Sequence, residues 1–137
     1  MNCVTHVVDL VMEEGCTFDK WFRWKVGTSY VPIDDYTAVM HCRKKIKDAV
    51  PLLTLPTIAV PWAADGDSGI YILDDGVDAD LVGKYQIYVN NEDLTGICLD
   101  HKDIDEGIYM LTLQTAAGEV VLKQHGSLII HAAGLWS

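Results

Sequence analysis

Apolar side chains recur at every second position along most of this chain. Tyr85, Ile87 and Val89 form one such set, Tyr109, Leu111 and Leu113 another, and Val120 with Leu122, then Leu128 with Ile130, close the series. Successive side chains of an extended strand point to opposite faces of a sheet, so a period of two marks strands with one dry and one wet face. Helical spacing is scarce. Only 38–50 offers it, and there the β-branched Thr37 and Val39 favour a strand. Turn formers separate the alternating segments: Gly27-Thr28-Ser29, Asp65-Gly66-Asp67, Asp74-Asp75-Gly76, Asn90-Asn91, Thr115-Ala116-Ala117-Gly118 and His125-Gly126. Short strands joined by tight turns at this spacing predict an all-β fold, an antiparallel immunoglobulin-like β-sandwich with short loops and little helix. Between roughly 107 and 131 the connections leave no room for a crossover helix, which predicts a three-stranded meander.

The stretch Cys16-Thr17-Phe18-Asp19-Lys20-Trp21-Phe22-Arg23-Trp24 concentrates aromatic and charged residues. Read as a strand, it puts Phe18, Phe22, Trp24 and Val26 on the inner face and Thr17, Asp19, Trp21, Arg23 and Lys25 on the outer. Lys20 interrupts the inner set, which predicts a position near the strand start where its stem runs out to water. Trp21 stands among charges. Either it packs on neighbouring Lys and Arg stems, or it is held for a partner that would cover it.

With 137 residues, half of them hydrophobic, the chain can bury the core of a single domain, 1–137, without disulfides or a structural metal. Pro51, Pro56 and Pro61 break the longest apolar stretch, which suits an extended arm over 49–64 or an edge strand that resists unwanted pairing; 132–137 reads as a C-terminal tail. That stretch is too short and too often broken to cross a bilayer, and the N-terminus lacks the pattern of a secretory signal, so neither membrane nor export is expected. A net charge of -10 opposes nucleic-acid binding, and the one basic run, Arg43, Lys44, Lys45 and Lys47, reads as a solvated strand end. Cys3, Cys16, Cys42 and Cys98 show no C-x-x-C spacing and read as thiols.

Fragments of several chemistries occur along the chain. Thr37-Ala38-Val39-Met40-His41-Cys42 and Gly66-Asp67-Ser68-Gly69 mimic the segments around the histidine and the nucleophile of a serine protease. That fold needs two barrels, however, and this chain has room for neither a second barrel nor their separation. Cys3-x-x-His6 and Cys98-x-x-His101 suggest a zinc site, with Cys98 and His101 the weak alternative pair, but residues three apart on a strand face opposite ways. Asp65, Asp67, Asp74, Asp75, Asp78 and Asp80 fall in sixteen positions without the EF-hand register, and read as solvated acidic loops. No nucleotide-binding glycine motif occurs, and no cofactor and no enzyme activity are expected.

The order of certain signals carries a resemblance. Gly15-x-Thr17-Phe18, Phe22-x-Trp24, Tyr36-Thr37-Ala38-x-Met40-x-x-Arg43 and Pro51-Leu52-Leu53-x-Leu55 are followed by Gly69-Ile70, Gly107-Ile108-Tyr109-x-Leu111-x-Leu113, Gly118-Glu119-Val120-Val121 and Gly126-Ser127-Leu128. Over about residues 9–131 this series resembles small β-sandwich structural proteins of tailed-bacteriophage virions. Pro32-Ile33-Asp34-Asp35 stands where that pattern has Asp-Leu-Thr-Gly, and Met110-Leu111-Thr112 where it has an acidic strand. The resemblance implies a protein made in the host cytoplasm and built into the virion at neck, baseplate, tail fibre adaptor or head decoration. Its expected partners are copies of itself, as a homo-oligomer, and neighbouring virion proteins. Trp21, Trp62 and Trp136 are the interface candidates, because aromatic residues bury much area at little rotamer cost. Cys3 and Cys16 are candidates for an inter-subunit disulfide. The alternative is a carbohydrate-binding sandwich in which Trp21 and Trp62 stack on sugar rings.

Overall fold

The structure, a computed structural model, describes residues 4–45, 51–58, 67–98 and 102–133. Twelve strands run in chain order: β1 Val4–Val7, β2 Leu10–Glu13, β3 Phe18–Arg23, β4 Lys25–Val26, β5 Ser29–Tyr30, β6 Thr37–Arg43, β7 Leu53–Leu55, β8 Thr57–Ile58, β9 Gly69–Ile72, β10 Lys84–Val89, β11 Ile104–Gln114 and β12 Val120–His131. The helical content among the described residues is one 3-10 turn, Ala79–Leu81. The larger sheet has the order β1-β12-β11-β6-β7, with β2 following β1 along the same edge of β12. The smaller has the order β3-β10-β9-β8, and β4 and β5 form a separate hairpin. The ladders are antiparallel except at the margins, where β1 and β2 run parallel to β12 and β8 runs parallel to β9.

The chain crosses repeatedly between the sheets, as in an immunoglobulin-like sandwich. Alternation supplies the filling. Met40, Leu111, Leu113, Leu122, Leu128 and Ile130 point inward from the larger sheet to meet Ile70, Tyr85, Ile87 and Val89 of the smaller. Neither β3 nor β11, the strands a disulfide joins in antibody domains, carries a cysteine. The layers are tied instead by a buried polar chain. The Tyr85 hydroxyl donates to Gln124 Oε1, Gln124 Nε2 donates to the Tyr109 hydroxyl at 3.1 Å, and that hydroxyl donates to the Val8 carbonyl at 2.5 Å. Phe22 stacks on Tyr85 with ring centroids 5.7 Å apart.

A second knot closes one end. Asp74, only 3 % exposed, accepts the N–H of Ile33 at 2.8 Å and of Gly83 at 2.9 Å on Oδ2, and that of Gly76 at 3.0 Å on Oδ1. Gly83 in turn accepts the Trp24 N–H, and a Cβ at position 83 would stand 2.6 Å from the Trp24 carbonyl. Its φ of 78° is in the left-handed region as well, so both conformation and space call for glycine.

Three local expectations are corrected. Val26 is exposed: the chain leaves the smaller sheet after Arg23, and Val26 lies on the β4–β5 hairpin. Lys20 sits in the middle of β3, not near its start, and reaches water because β3 is an edge strand. His125-Gly126 is no turn. β12 runs straight through it, so the expected meander of three strands is one long hairpin of two, β11 and β12. Gly126 is required for another reason: a Cβ there would lie 2.2 Å from the carbonyl oxygen of Val8, where the edge passes from β1 to β2.

Candidate interaction surface

Trp21, Cys16 and Cys98 can be placed; Trp62, Trp136, Cys3 and His101 lie outside the described residues. Trp21 projects from the outer face of the smaller sheet and is 56 % exposed. Lys84 on β10 holds its ammonium 4.0 Å from the ring centroid, a cation–π contact that covers one face of the indole. Beside it, Gln86 Nε2 donates to Asp19 Oδ1, and Arg23 lies over the Tyr30 ring at 3.5 Å while donating to the carbonyls of Val82 and Ala79. Arg23 of this strand and Lys84 of its neighbour are thus spent on aromatic rings and backbone.

Cys16 is an exposed thiol in the turn after β2, whereas Cys98 is buried with its Sγ 3.6 Å from the Ile130 carbonyl. Burial pushes the Cys98 thiol above its ordinary pKa, and the nearby Glu14 carboxylate adds to this. That carboxylate is structural: it accepts the N–H of Cys98 on Oε2 at 2.6 Å and that of Ala133 on Oε1 at 3.0 Å. Among the described residues no group of three or more His, Cys, Asp or Glu side chains is placed to hold a metal ion. The acidic loop uses its carboxylates locally. Asp75 Oδ1 accepts the N–H of Val77 and Asp78, which holds its own pKa down, and Asp78 accepts the N–H of Asp80. Ser68, the nucleophile of the protease mimicry, donates to Asp93 and accepts the Asn90 N–H at 2.7 Å, fastening one loop to another.

Of the basic run, Lys44 and Lys45 lie beside carboxylates, and Lys47 lies outside the described residues. Lys44, Lys45 and Lys102 share a shallow hollow with Asp103, Asp105 and Glu106, and Lys45 lies 3.9 Å from Glu106. Carboxylates interleaved with cations weaken the local positive field.

One partly apolar exposed area is not singled out by alternation alone, the outer face of the larger sheet. Register lines up Val7 of β1, His125 of β12, Met110 of β11, His41 of β6 and Thr54 of β7 in one row across five strands. The next row on one side brings Ile108 beside Arg43 and Ser127, and farther along Val11 lies opposite Ile129. Val7 is 69 % exposed, Val11 50 % and Met110 42 %. A cleft of about 430 Å³ opens along this row, with Val7, His41, Ile108, Met110 and His125 among its walls and Asp9 at its margin. The only cue in the sequence is that the outward residues Val7, Val11, Ile108 and Met110 are not polar, as the wet face of a strand usually is.

The edges at β7, β3 and β1–β2 are guarded by contrast. β7 is three residues long between Pro51 and Pro56, β3 carries Asp19 and Lys20, and the β1–β2 edge is broken at Val8-Asp9. These are the devices that block edge-to-edge strand addition.

No family model matches the chain, and no curated protein matches it. Among solved structures it is similar to the NK cell receptor Nkp44, described as a triggering partner in natural cytotoxicity, with a TM-score of 0.46 and 11 % identity over 92 % of this chain and 97 % of that one. Among the described residues no helix is long and apolar enough to cross a membrane.

Proposed function

We propose that the protein is a structural, non-enzymatic β-sandwich that acts by association, as a component of a tailed-phage virion, binding copies of itself and neighbouring virion proteins. The single observation that carries the association is the outer face of the larger sheet: five strands wide, apolar in part, and bounded by edges that resist pairing. The virion setting is supported by the resemblance over residues 9–131 and by a sandwich fold of the expected class. A rigid face of this kind meets its neighbour through fixed side chains, and identical contacts repeated about an axis close a ring.

Sedimentation of the full chain tests the reading. Wild type is expected to form stable oligomers that Val11→Glu with Met110→Glu disperses, since two carboxylates on the face would have to be buried unpaired. A chain that stays monomeric at millimolar concentration, or oligomers indifferent to both substitutions, would refute it. Sugar stacking is the alternative, and among the described residues Trp21 is an exposed platform for it, with one ring face already under Lys84. Glycan binding by a monomer, abolished by Trp21→Ala, would replace the proposal.

A further inference from the structure

We infer that the row His41–Met110–His125 on the outer face of the larger sheet is a binding site for a soft monovalent metal ion, Cu(I). The inference does not rest on the association proposed above, which would cover the same face; it concerns the protomer with that face open and rests on register. Met110 lies directly opposite His41 in β6 and directly opposite His125 in β12, and all three line the same cleft. Side chains directly opposite one another have Cβ atoms about 5 Å apart. The two histidine Cβ atoms therefore stand on either side of the thioether, about 10 Å from each other, and an ion above the Met110 sulfur would lie about 5 Å from each, within reach of an imidazole nitrogen.

The rings are available. Among the described residues neither His41 nor His125 donates or accepts a side-chain hydrogen bond, whereas His131, on the same face, is held by Asp103 at 3.2 Å. The donor set then selects the ion: a thioether and two neutral imidazoles are soft to borderline ligands without charge, which suit Cu(I) and give little to calcium or magnesium. Charge selects it further. Arg43 lines the cleft and repels cations, and a monovalent ion meets half the repulsion of a divalent one. Asp9, which accepts the Ser127 N–H at 3.0 Å, supplies a compensating carboxylate in the same cleft. Val7 and Ile108 wall the site with apolar surface, which limits competition by water.

The test uses the full chain, diluted until sedimentation shows the monomer and with its accessible thiols alkylated, because Cys16 is exposed and would otherwise compete for copper. Cu(I) is supplied anaerobically as its complex with a coloured chelator. One equivalent should pass to the wild-type protein. Met110→Leu, His41→Ala and His125→Ala, all outward-facing and checked for fold by circular dichroism, should each weaken binding at least tenfold. In a methyl-labelled NMR spectrum the Met110 signal should move while those of the buried Met12 and Met40 stay in place. No transfer from the chelator, transfer that Met110→Leu leaves unchanged, or a shift confined to Met1 would overturn the assignment.

Discussion

Replacing Asp74 by alanine should cost this fold about 3 kcal/mol, a large share of the roughly 5–15 kcal/mol that holds a domain together. The carboxylate receives three backbone N–H groups, from Gly76 in its own turn, from Gly83 nine residues on and from the distant Ile33. Hydrogen bonds to a charged group each contribute about 1.5–3 kcal/mol net, and an N–H left buried without a partner costs about 1–3 kcal/mol. Two of the three bonds, to Ile33 and Gly83, are buried and cannot turn to water; the third, to Gly76, is partly exposed and can. Relief of the buried charge offsets part of the loss, which brings the total to about 3 kcal/mol rather than twice that. Asparagine separates the contributions. Its carbonyl can take the place of Oδ2 and keep both buried bonds, while its amide faces only the Gly76 N–H, so Asp74→Asn should lose about half as much. Urea unfolding followed by tryptophan fluorescence reads the difference. With a slope of about 1.5 kcal/mol per molar, alanine should lower the midpoint by about 2 M and asparagine by about 1 M, at unchanged slope. An alanine variant within about 0.3 M of wild type, the scatter of ordinary surface substitutions, would refute the reasoning. So would an asparagine variant as weak as alanine.

Further outcomes follow from the same core. Burial raises the Tyr109 phenol to about 12 and lifts Tyr85 higher still, so both stay neutral in the fold while their unfolded counterparts ionise near pH 10. Stability is therefore complete below pH 10 and falls as pH rises toward 12; the urea midpoint should drop across that window, and Tyr109→Phe should flatten the drop. In native protein an aromatic disulfide reagent should titrate Cys16 within minutes, and Cys42, whose thiol burial pushes up to about 12, only at the rate of unfolding. Gly126→Ala should destabilise by about 2–3 kcal/mol, because the new Cβ drives the Val8 carbonyl off β12; retention of full stability would mean that the β1–β2 edge yields freely.

What the sequence determined by itself is local. A period of two fixes which face of its own strand a residue occupies, and so Tyr85, Ile87 and Val89, and likewise Tyr109, Leu111 and Leu113, were legible as strands, and all but one of the inward residues of 18–26 fell where alternation put them. Turn chemistry is local too, which is why the glycines at 27 and 118 marked real turns. Only the tertiary structure decided matters between strands. Whether Lys20 is tolerable depends on β3 being an edge, and whether Gly126 is a turn or a place of close approach depends on a carbonyl 118 positions earlier in the chain. The row Val7–His125–Met110–His41–Thr54 exists only through the register of five strands, and Asp74 is set apart from its acidic neighbours by the approach of Ile33 and Gly83 to its buried carboxylate. Alternation tells each residue up or down. Which residues then become neighbours is settled by pairing and packing across the whole domain, where the interactions span too much chain for any local pattern to encode them.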